Sequence, residues 1–566
     1  MAWAVKCAQT TWIGGGVFVY RRGLVQNGLI PWWRMMSTSD SGGGGGMSSM
    51  NPVQKESEQN ARDEAERGME GALKSLSTLI SGRDARRGET REEREIAWTE
   101  MFRQMRHHLD AIDVDVSKLQ AVHVAGTKGK GSTCAMVERI LRERGYRTGL
   151  FTSPHLVDLR ERIRVDGRVL PEAVFLRHFW GVWDSLKRDS HARGMPAYFR
   201  FLTLLALKVF VEEKVDVAVL EVGIGGRLDA TNVCVPVVTG VSSLGYDHMQ
   251  LLGDTIELIA AEKAGIFKQG VPALVSQGQD TGALQVLRNK AQSAGAKSFQ
   301  VVPSLEEYKV VSSTSGDDAG NSLGDVKVGL AGEHQRLNAA LAVALCSAWE
   351  TATPRPGIPH PFPTSTQVPL SYAKGLAKCA WPGRGQTLQD TREPMLTYFL
   401  DGAHTKESLQ ACSAWFASHS ASVQMGTGVG AKRVLLFYCQ RDRDPESLLR
   451  ELHNALAASG GVDHAVFCPA DSAYMSVSRV HDKPDDAETA WSRASASAWS
   501  RLAGNDAEFA VFSNLSEALA HLRDLAGKET MPVHALVTGS LYLVGDVLAR
   551  AAGPGLLDTL GDSSSG

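Results

Sequence analysis

A glycine- and lysine-rich loop is the first place where the residue types of this sequence suggest chemistry. The stretch GTKGKGST, residues 126–133, follows the apolar run LQAVHVAG and precedes the helical pattern STCAMVERILRERG. Glycines at a strand-to-helix turn let backbone N–H groups approach an anion, and Lys130 can reach the β- and γ-phosphates of a nucleotide. Val124 stands where the usual phosphate loop has its first glycine. Gly131 separates Lys130 from Ser132, so the hydroxyl comes one place late.

Four further polar side chains follow or interrupt apolar runs. Glu221 in LEVGIGGRLDATN ends a strand pattern, the place where open α/β sheets bind ligands, and its carboxylate suits Mg²⁺. Asp247 and His248 follow another strand, and His248 could ligate a second metal. Lys263 lies in an apolar helix face, where a half-buried amine needs a partner or a modification. Taken singly, a solvated acid, an idle histidine and a lysine that reaches solvent stay open as alternatives.

These residues are carried by a repeated alternation of strands and helices. Apolar, β-branched runs such as YRTGLFTS, VDVAVLEVG, PVVTGVSSL and VPALVSQ are separated by helical patterns. Such alternation predicts the α/β class, with a mainly parallel sheet covered on both faces. A second series, LTYFLDGAH, KRVLLFYC, HAVFCP and VHALVTGS, follows a proline-rich stretch. We therefore predict two α/β domains, the second smaller and Rossmann-like.

The predicted boundaries follow composition. Residues 1–50 are predicted to be a transit-like leader and glycine-rich linker, 51–375 an N-terminal ATP-binding P-loop domain, and 376–566 a C-terminal Rossmann-like domain. Residues 312–325 are predicted to be a polar loop. Two stretches, 351–370 and 471–508, are predicted to be insertions, the first a linker or surface segment and the second weakly ordered.

Composition excludes several classes of protein. The 566 residues are 43% hydrophobic with a net charge of −3, which is typical of a soluble globular protein and argues against a nucleic-acid binder. No stretch is apolar for the ~18 residues that a membrane span needs, so no stable membrane insertion is expected. The eight cysteines include no C-x-x-C pair, which favours buried thiols in a reducing compartment over a zinc site.

The first 39 residues contain arginines and hydroxyl residues but no acid, which is typical of an organellar transit peptide. A plain disordered tail and a short secretory core are the alternatives. Four methionines just downstream offer alternative starts for a cytosolic form: Met35, Met36, Met47 and Met50.

Eleven motifs in order carry a resemblance to a known family. They are HVAGTKGKGST, FTSPHL, ERIRVDG, YFRFLTLLAL, LEVGIGGRLDATN, GYDHMQLLGDT, AEKAGIFKQGVP, GEHQRLNAALA, WPGRGQ, LDGAHT and VTGSLYLVGD. Together they resemble the folylpolyglutamate synthases of the Mur-ligase superfamily, over residues 60–550. GTKGKGS and DGAHT, where bacterial relatives usually have GTNGKGS and DGAHN, resemble the eukaryotic branch. The resemblance implies a first domain of the Mur-ligase central-domain type.

The resemblance also implies roles for residues that match the family's motifs. Those implied to bind ATP are Gly129, Lys130, Gly131, Ser132, Asn338, Arg384 and Asp401. Those implied to hold two Mg²⁺ ions are Ser153, Glu221 and His248. The catalytic set is Lys130, Lys263 and His404, with the exact duty of His404 left open. The folate-side set is Phe199, Arg200 and Phe201. Carbamylation of Lys263 and a monovalent cation such as K⁺ are further candidate components.

The implied reaction adds L-glutamate to the γ-carboxyl group of a tetrahydrofolate polyglutamate tail, with ATP forming an acyl phosphate. Lys130, Arg384 and Mg²⁺ would balance the charge of the transferred phosphoryl group. The enzyme is expected to be a monomer that retains folates in mitochondria, in the matrix or at the inner membrane, and in the cytoplasm. A bifunctional dihydrofolate/folylpolyglutamate synthase and a non-catalytic folate- and nucleotide-binding module are the alternatives.

Replacing the loop lysine tests the phosphate-loop interpretation. Lys130→Ala is expected to abolish glutamate addition, because the phosphoryl group loses its nearest cation. Chromatography of folate products from the purified variant measures this. Normal turnover by the variant would contradict the assignment of the loop.

Overall fold

A computed structural model describes most of the chain. The described residues are 67–80, 91–311, 322–355, 366–427, 430–471, 484–504 and 507–552. The leader predicted over residues 1–50 and its four alternative starts lie outside them.

An eight-stranded sheet, named the first sheet, forms the first half of the described chain. Its strands are β1 Ala121–Ala125, β2 Thr148–Phe151, β3 Ile163–Val165, β4 Arg168–Val169, β5 Val217–Glu221, β6 Val238–Val241, β7 Pro272–Val275 and β8 Ser298–Val301. The order across the sheet is β4-β3-β2-β5-β1-β6-β7-β8. Only β3 and β4 run antiparallel to their neighbours; the other pairings are parallel. This confirms the mainly parallel sheet.

Helices cover this sheet on both faces. They are α1 Met69–Ser77, α2 Arg91–Ala111, α3 Lys130–Glu143, α4 Glu172–Arg193, α5 Tyr198–Glu212, α6 Met249–Leu252, α7 Ile256–Lys263, α8 Thr281–Ser293, α9 His334–Ala352 and α10 Leu370–Ala377. Alternate residues of β5 point to opposite faces. Leu220 shares a core with residues of α4 and α5, whereas Val219 shares one with residues of α3 and α9. Burial on both faces explains why strands β1, β5, β6 and β7 are mostly apolar.

A small three-stranded sheet corrects two of the loop predictions. Its strands are β9 Lys309–Val311, β10 Ser322–Asp325 and β11 Gln367–Pro369, in the order β10-β9-β11. The end of the predicted polar loop 312–325 is therefore an edge strand, antiparallel to β9. The end of the 351–370 stretch is the other edge, where a proline is tolerated because its missing N–H need not pair.

A six-stranded sheet, named the second sheet, forms the second half of the described chain. Its strands are β12 Gln386–Gln389, β13 Leu396–Leu400, β14 Lys432–Phe437, β15 His464–Phe467, β16 Glu508–Val511 and β17 Val533–Thr538. The order is β12-β13-β17-β14-β15-β16, with β12 antiparallel and the other pairings parallel. Its helices are α11 Lys406–Thr427, α12 Pro445–Ala457, α13 Pro484–Ala503, α14 Leu515–Lys528 and α15 Leu541–Ala551. The sequence motifs located the four inner strands, and the two edges were missed.

Helix α13 shows that the prediction of weak order was wrong for residues 484–503 of the 471–508 stretch, whereas residues 472–483 and 505–506 lie outside the described residues. Ala496 and Trp499 are buried in the same core cluster as Leu449 and Leu452 of α12. Tyr438 donates a hydrogen bond to Glu488 of the helix at 3.0 Å. The serine- and alanine-rich composition of this segment hid the apolar face, because small side chains give a weak hydrophobic pattern.

Helix α10 packs tightly on the helix that follows the phosphate loop. A Cβ atom added at Gly375 would lie 2.8 Å from the Cα atom of Ile140 in α3, so the two backbones are in close contact. The helix runs through residue 375, where we predicted the first domain to end. That boundary remains a prediction.

Two further findings concern the described residues only. No helix among them is both long enough and apolar enough to cross a membrane. Seven cysteines lie there, all free and buried: Cys134, Cys234, Cys346, Cys379, Cys412, Cys439 and Cys468.

Truncating a buried side chain tests whether α13 belongs to the core. Trp499→Ala is expected to lower the free energy of unfolding by about 3–5 kcal/mol, because it leaves a large cavity beneath α13. Urea denaturation followed by circular dichroism measures the change. Ser497→Ala, at an exposed position of the same helix, is the matched control and should change stability little. Equal midpoints for both variants would contradict the packing of α13.

Candidate active site

The site lies where three neighbouring parallel strands end. Strand β1 is flanked by β5 and β6, so their carboxyl ends meet at one edge of the sheet. The phosphate loop follows β1, Glu221 ends β5, and the segment that leads to His248 follows β6. The topology therefore brings together three motifs that are far apart in the sequence.

Hydrogen bonds fix the phosphate loop to the segment after β6. The backbone N–H groups of Thr127 and Lys128 donate to the Ser243 carbonyl at 3.0 and 3.1 Å. The Ser242 hydroxyl donates to the Lys128 carbonyl at 2.6 Å. Gly129 has φ of 81°, and a Cβ atom there would lie 2.1 Å from Oδ1 of Asn338. Both the conformation and the space at this position require glycine.

Glu221 faces the first turn of α3. Its Oε2 accepts a hydrogen bond from the backbone N–H of Ser153 at 2.8 Å. A Cβ atom at Gly131 would be 3.5 Å from both carboxylate oxygens, so the missing side chain leaves the carboxylate beside the loop. Burial raises the pKa of Glu221, and the charge of Lys130 opposes the rise. A buried carboxylate beside a lysine can hold a divalent cation.

Asn338 and Ser132 are joined through a residue that the sequence analysis missed. Gln335 accepts from the Asn338 amide at 2.9 Å, and its own amide lies 3.4 Å from the Ser132 hydroxyl. All three side chains are buried. Gln335 belongs to the motif GEHQRLN, and its position three residues before Asn338 on α9 could have indicated a shared face.

Lys263 ends α7 with its amine in the protein interior. Only 3% of the residue is exposed, and Nζ donates to the Gly126 carbonyl at 2.8 Å. Burial, helped by the charge of Lys130, lowers the pKa of Lys263 to about 7. A substantial fraction of the amine is therefore neutral near physiological pH, the form that acts as a nucleophile.

Asp247 and His248 begin the segment that leads to α6. His248 has φ of 50°, and its backbone N–H donates to Oδ1 of Asp247 at 3.0 Å. Burial lowers the pKa of His248, and the Asp247 carboxylate opposes this. Burial alone would raise the pKa of Asp247, but Lys128 is foremost among the cations that hold it well below its usual range. An ionised aspartate thus lies beside the candidate metal ligand.

Three of the expected residues come from the region of the second sheet: Arg384, Asp401 and His404. Asp401 accepts hydrogen bonds from the backbone N–H groups of Gly385 at 2.9 Å and Ala403 at 3.0 Å. These bonds tie the LDGAHT motif to the WPGRGQ motif. The charge of Arg384 opposes the rise in the Asp401 pKa that burial causes, and it also acts on Glu221. Arg384 also lines a cavity with Thr152 and Pro154, the two neighbours of Ser153, so it lies between the two sheets' contributions to the site.

One ring nitrogen of His404 makes a hydrogen bond to the backbone. Its Nδ1 is 2.9 Å from the Gly402 carbonyl, which can only accept, so Nδ1 carries the hydrogen and Nε2 of the neutral ring has a free lone pair. Burial, followed by the charge of Lys128, lowers the pKa of His404 to about 4. The ring is therefore neutral at physiological pH and can accept a hydrogen bond at Nε2.

The folate-side segment divides into two kinds of side chain. Phe199 lies against the glycine turn after β5, since its ring would be 2.7 Å from a Cβ atom at Gly223. Arg200 is half-buried. Phe201 is fully buried and packs on Phe179, so its side chain is unavailable to a ligand. Its place in the interior follows from the apolar face of α5, which the aromatic motif did not reveal.

Three more charged residues escaped the sequence analysis as site residues. Asp229 accepts from the backbone N–H groups of Gly223 at 3.0 Å and Ile224 at 3.2 Å and so shapes the glycine turn. Lys128 and Arg443 lie 3.4 and 3.5 Å from the Asp247 carboxylate. Arg443 belongs to the charged stretch QRDRDP after β14, whose position at a strand end was the available signal.

The described residues include no cluster of three or more His, Cys, Asp and Glu side chains suited to a metal ion. Mg²⁺ does not need one, because it is commonly bound by one or two carboxylates together with water and phosphate oxygens. The Glu221 carboxylate and the Ser153 hydroxyl are hard oxygen donors of the kind that Mg²⁺ prefers. The residues present therefore fit this ion.

Comparison with known proteins agrees with this geometry. Residues 190–346 match the Mur ligase middle domain. A solved folylpolyglutamate synthase in complex with AMPPCP and folate superposes with a TM-score of 0.58 at 25% identity, covering 85% of this chain and all of that one. The fold and the phosphate loop thus define a Mur-type ligase.

Curated relatives define the family more narrowly. The folylpolyglutamate synthase of Arabidopsis thaliana is 39% identical over 522 residues, which cover 85% of this chain and 87% of the relative. The mitochondrial folylpolyglutamate synthase of Homo sapiens is 41% identical over 508 residues, 77% of this chain and 83% of the relative. The chain belongs to the folylpolyglutamate synthase family.

The depressed pKa of His404 makes stability depend on pH. The unfolded side chain binds a proton near pH 6.5 and the folded one only near pH 4, so the unfolded state gains protons first as the pH falls. Stability is expected to decrease between pH 6.5 and 4, with a contribution from His404 of about 2 kcal/mol at pH 5.

Urea denaturation at pH 7.5 and pH 5 measures this loss. His404→Gln cannot be protonated, so the variant is expected to lose less stability than the native protein over this range. An identical loss in the two proteins would contradict the lowered pKa of His404.

Proposed function

We propose that this protein catalyses the ATP-dependent addition of L-glutamate to the γ-carboxyl group of tetrahydrofolate polyglutamates, through an acyl phosphate. One observation carries the proposal. The phosphate loop with Lys130 and Glu221 lies at the edge of the first sheet, and Arg384, whose charge acts on Glu221, reaches the same place from the motif before the second sheet. Such an arrangement can bind a nucleotide on one side and complete the site from the other.

ATP and Mg²⁺ are the proposed cofactors. The complex of a solved relative with AMPPCP and folate supports nucleotide and folate as ligands of this family. Glu221, Ser153 and His248 would hold two Mg²⁺ ions. When bound, Mg²⁺ neutralises negative charge on the phosphate oxygens. The nucleotide would contact Gly129 to Ser132 and Asn338, with Arg384 and Asp401 on the opposite side.

The chain's own residues then have distinct tasks. Lys130 and Arg384 place positive charge where the transferred phosphoryl group has to be stabilised. His404, neutral and with a free Nε2 lone pair, is suited to accept a hydrogen bond from the amine of the incoming glutamate. An acyl phosphate would hydrolyse in water, so the two sheets have to enclose it. Among the folate-side residues, Phe199 and Arg200 are the ones accessible to a ligand.

The low pKa and the burial of Lys263 support its carbamylation. The neutral amine attacks CO₂, forms an N–C bond and releases a proton, which leaves a carbamate anion. The carbamate would be stabilised by the positive charge of Lys130 and could hold the second Mg²⁺. A monovalent cation such as K⁺ is a further proposed component.

We also propose where and in what form the protein acts. The human relative is named as mitochondrial, which supports a mitochondrial location here, in the matrix or at the inner membrane. A cytoplasmic form would start at one of the methionines between residues 35 and 50. The working unit is proposed to be a monomer, divided into a P-loop domain over 51–375 and a ligase domain over 376–566.

A product assay tests the function directly. The purified protein is incubated with tetrahydrofolate, L-glutamate and MgATP, and the folates are sized by chromatography. Longer glutamate tails are expected, with ADP release that requires both folate and glutamate. Dihydropteroate in place of tetrahydrofolate should give no dihydrofolate. ADP release without lengthened folates would overturn the proposal.

Removing the Lys263 amine tests the carbamate. Lys263→Ala is expected to lose most of its ligase activity and to regain part of it with a short carboxylate such as formate, which can occupy the carbamate's place. Rates with and without formate, for the variant and for the native protein, measure the rescue. Full activity of the variant without formate would contradict the role of Lys263.

A further inference from the structure

One carboxylate connects the phosphate loop to the second sheet. Oδ2 of Asp247 lies 3.4 Å from Nζ of Lys128, and Oδ1 lies 3.5 Å from Nη2 of Arg443. The Asp247 side chain is only 12% exposed, so water screens these pairs less than it does on an open surface. We name this arrangement the Lys128–Asp247–Arg443 bridge.

Two members of the bridge, Lys128 and Asp247, belong to the first sheet's part of the site. Lys128 is a residue of the phosphate loop, and its backbone is bonded to Ser242 and Ser243. Asp247 also accepts from the backbone N–H of His248 at 3.0 Å, so a shift of the carboxylate would move the candidate metal ligand. The phosphate loop and the candidate metal ligand His248 are thus both bonded to the same anchor, the Asp247 carboxylate.

Arg443 reaches this anchor from the second sheet. It lies in the turn after β14, where its backbone N–H donates to the Gln440 carbonyl at 3.0 Å. Asp444, the next residue, caps helix α12 by accepting from the backbone N–H of Glu446 at 3.2 Å. A turn braced in this way holds the arginine in a defined position.

The same turn lies close to His404 as well. The charges of Lys128 and Arg443 both act on the His404 ring, and all three affect Asp247. The Asp247 carboxylate is therefore the point at which the phosphate loop of the first sheet meets the histidine and the arginine of the second.

We infer that Arg443 is a positioning residue for ligation, which through Asp247 holds the phosphate loop and His248 in register with His404. This inference rests on the proposed function. The bridge would act after nucleotide binding, because the hydrogen bonds that hold the phosphate loop to Ser243 do not involve Arg443. Loss of Arg443 should then slow turnover without weakening the binding of ATP.

Steady-state kinetics of three variants test this inference. Arg443→Ala is expected to lower kcat about tenfold while KM for ATP stays within about twofold. Arg443→Lys keeps the charge and should recover a large part of kcat. Arg441→Ala is the matched control, since Arg441 lies in the same turn but pairs with Glu488 of α13 at 3.1 Å and should keep a native kcat.

A double variant tests whether Arg443 acts through Asp247. Asp247→Asn removes the shared anchor, so adding Arg443→Ala to it should lower kcat no further. Multiplying effects would mean that the two residues act separately and would overturn the bridge. So would an Arg443→Ala enzyme with the kcat of Arg441→Ala, or one in which only KM for ATP rises.

Two measurements keep the outcomes distinct. Thermal unfolding of each variant shows that the rates refer to folded protein. The native enzyme is assayed in parallel: if it lengthens folates and Arg443→Ala is equally fast, the bridge is refuted and the proposed function stands. If the native enzyme lengthens no folate, the proposed function fails, and the inference about Arg443 fails with it.

Discussion

The close contact of the phosphate loop with its neighbours is the constraint on which the rest of the site depends. A Cβ atom at Gly126 would lie 1.9 Å from Oγ of Ser242, and one at Gly129 would overlap the amide of Asn338. The loop backbone therefore occupies space that no side chain could share, pressed between the segment after β6 and helix α9. This packing aims its N–H groups and Lys130 at one place, and it puts the Gly126 carbonyl within reach of Lys263.

The charges around this loop are unequal in number. Lys128, Lys130 and Lys263 come from the first sheet, and Arg384 and Arg443 from the region of the second. The carboxylates among them are those of Glu221, Asp229, Asp247 and Asp401. Burial, followed by the positive charge of Lys130, lowers the pKa of Lys263 to about 7. Polyanionic substrates such as a nucleotide and a polyglutamate tail would offset the excess of positive charge, which therefore favours their binding.

The sequence was most informative where several levels of pattern agreed. Strands β1, β2, β5, β6 and β7 of the first sheet, the four inner strands of the second sheet and the phosphate loop combine apolar runs with glycines at the turns, and these were located. Strands β3, β4 and β8 of the first sheet were missed. Segments 322–325, 367–369 and 484–503 were mistaken for loops, because edge strands and a helix rich in small residues depend on tertiary partners for their stability. Motif membership identified Phe199 and Phe201 equally, and only the packing of α5 separates an accessible ring from a core ring. The role of Arg443 depends on a contact between distant segments, which no local pattern contains.

The burial of the cysteines has a practical consequence. The seven thiols in the described part of the chain are inside the protein, and burial raises the pKa of each of them. Thiol reagents act on the exposed thiolate, so these positions should stay unlabelled in the native state. With Cys7 replaced, single surface cysteines introduced on the two sheets could carry a pair of fluorophores without interference. Energy transfer between the dyes would then report, in real time, how far the two sheets move towards each other during a catalytic cycle.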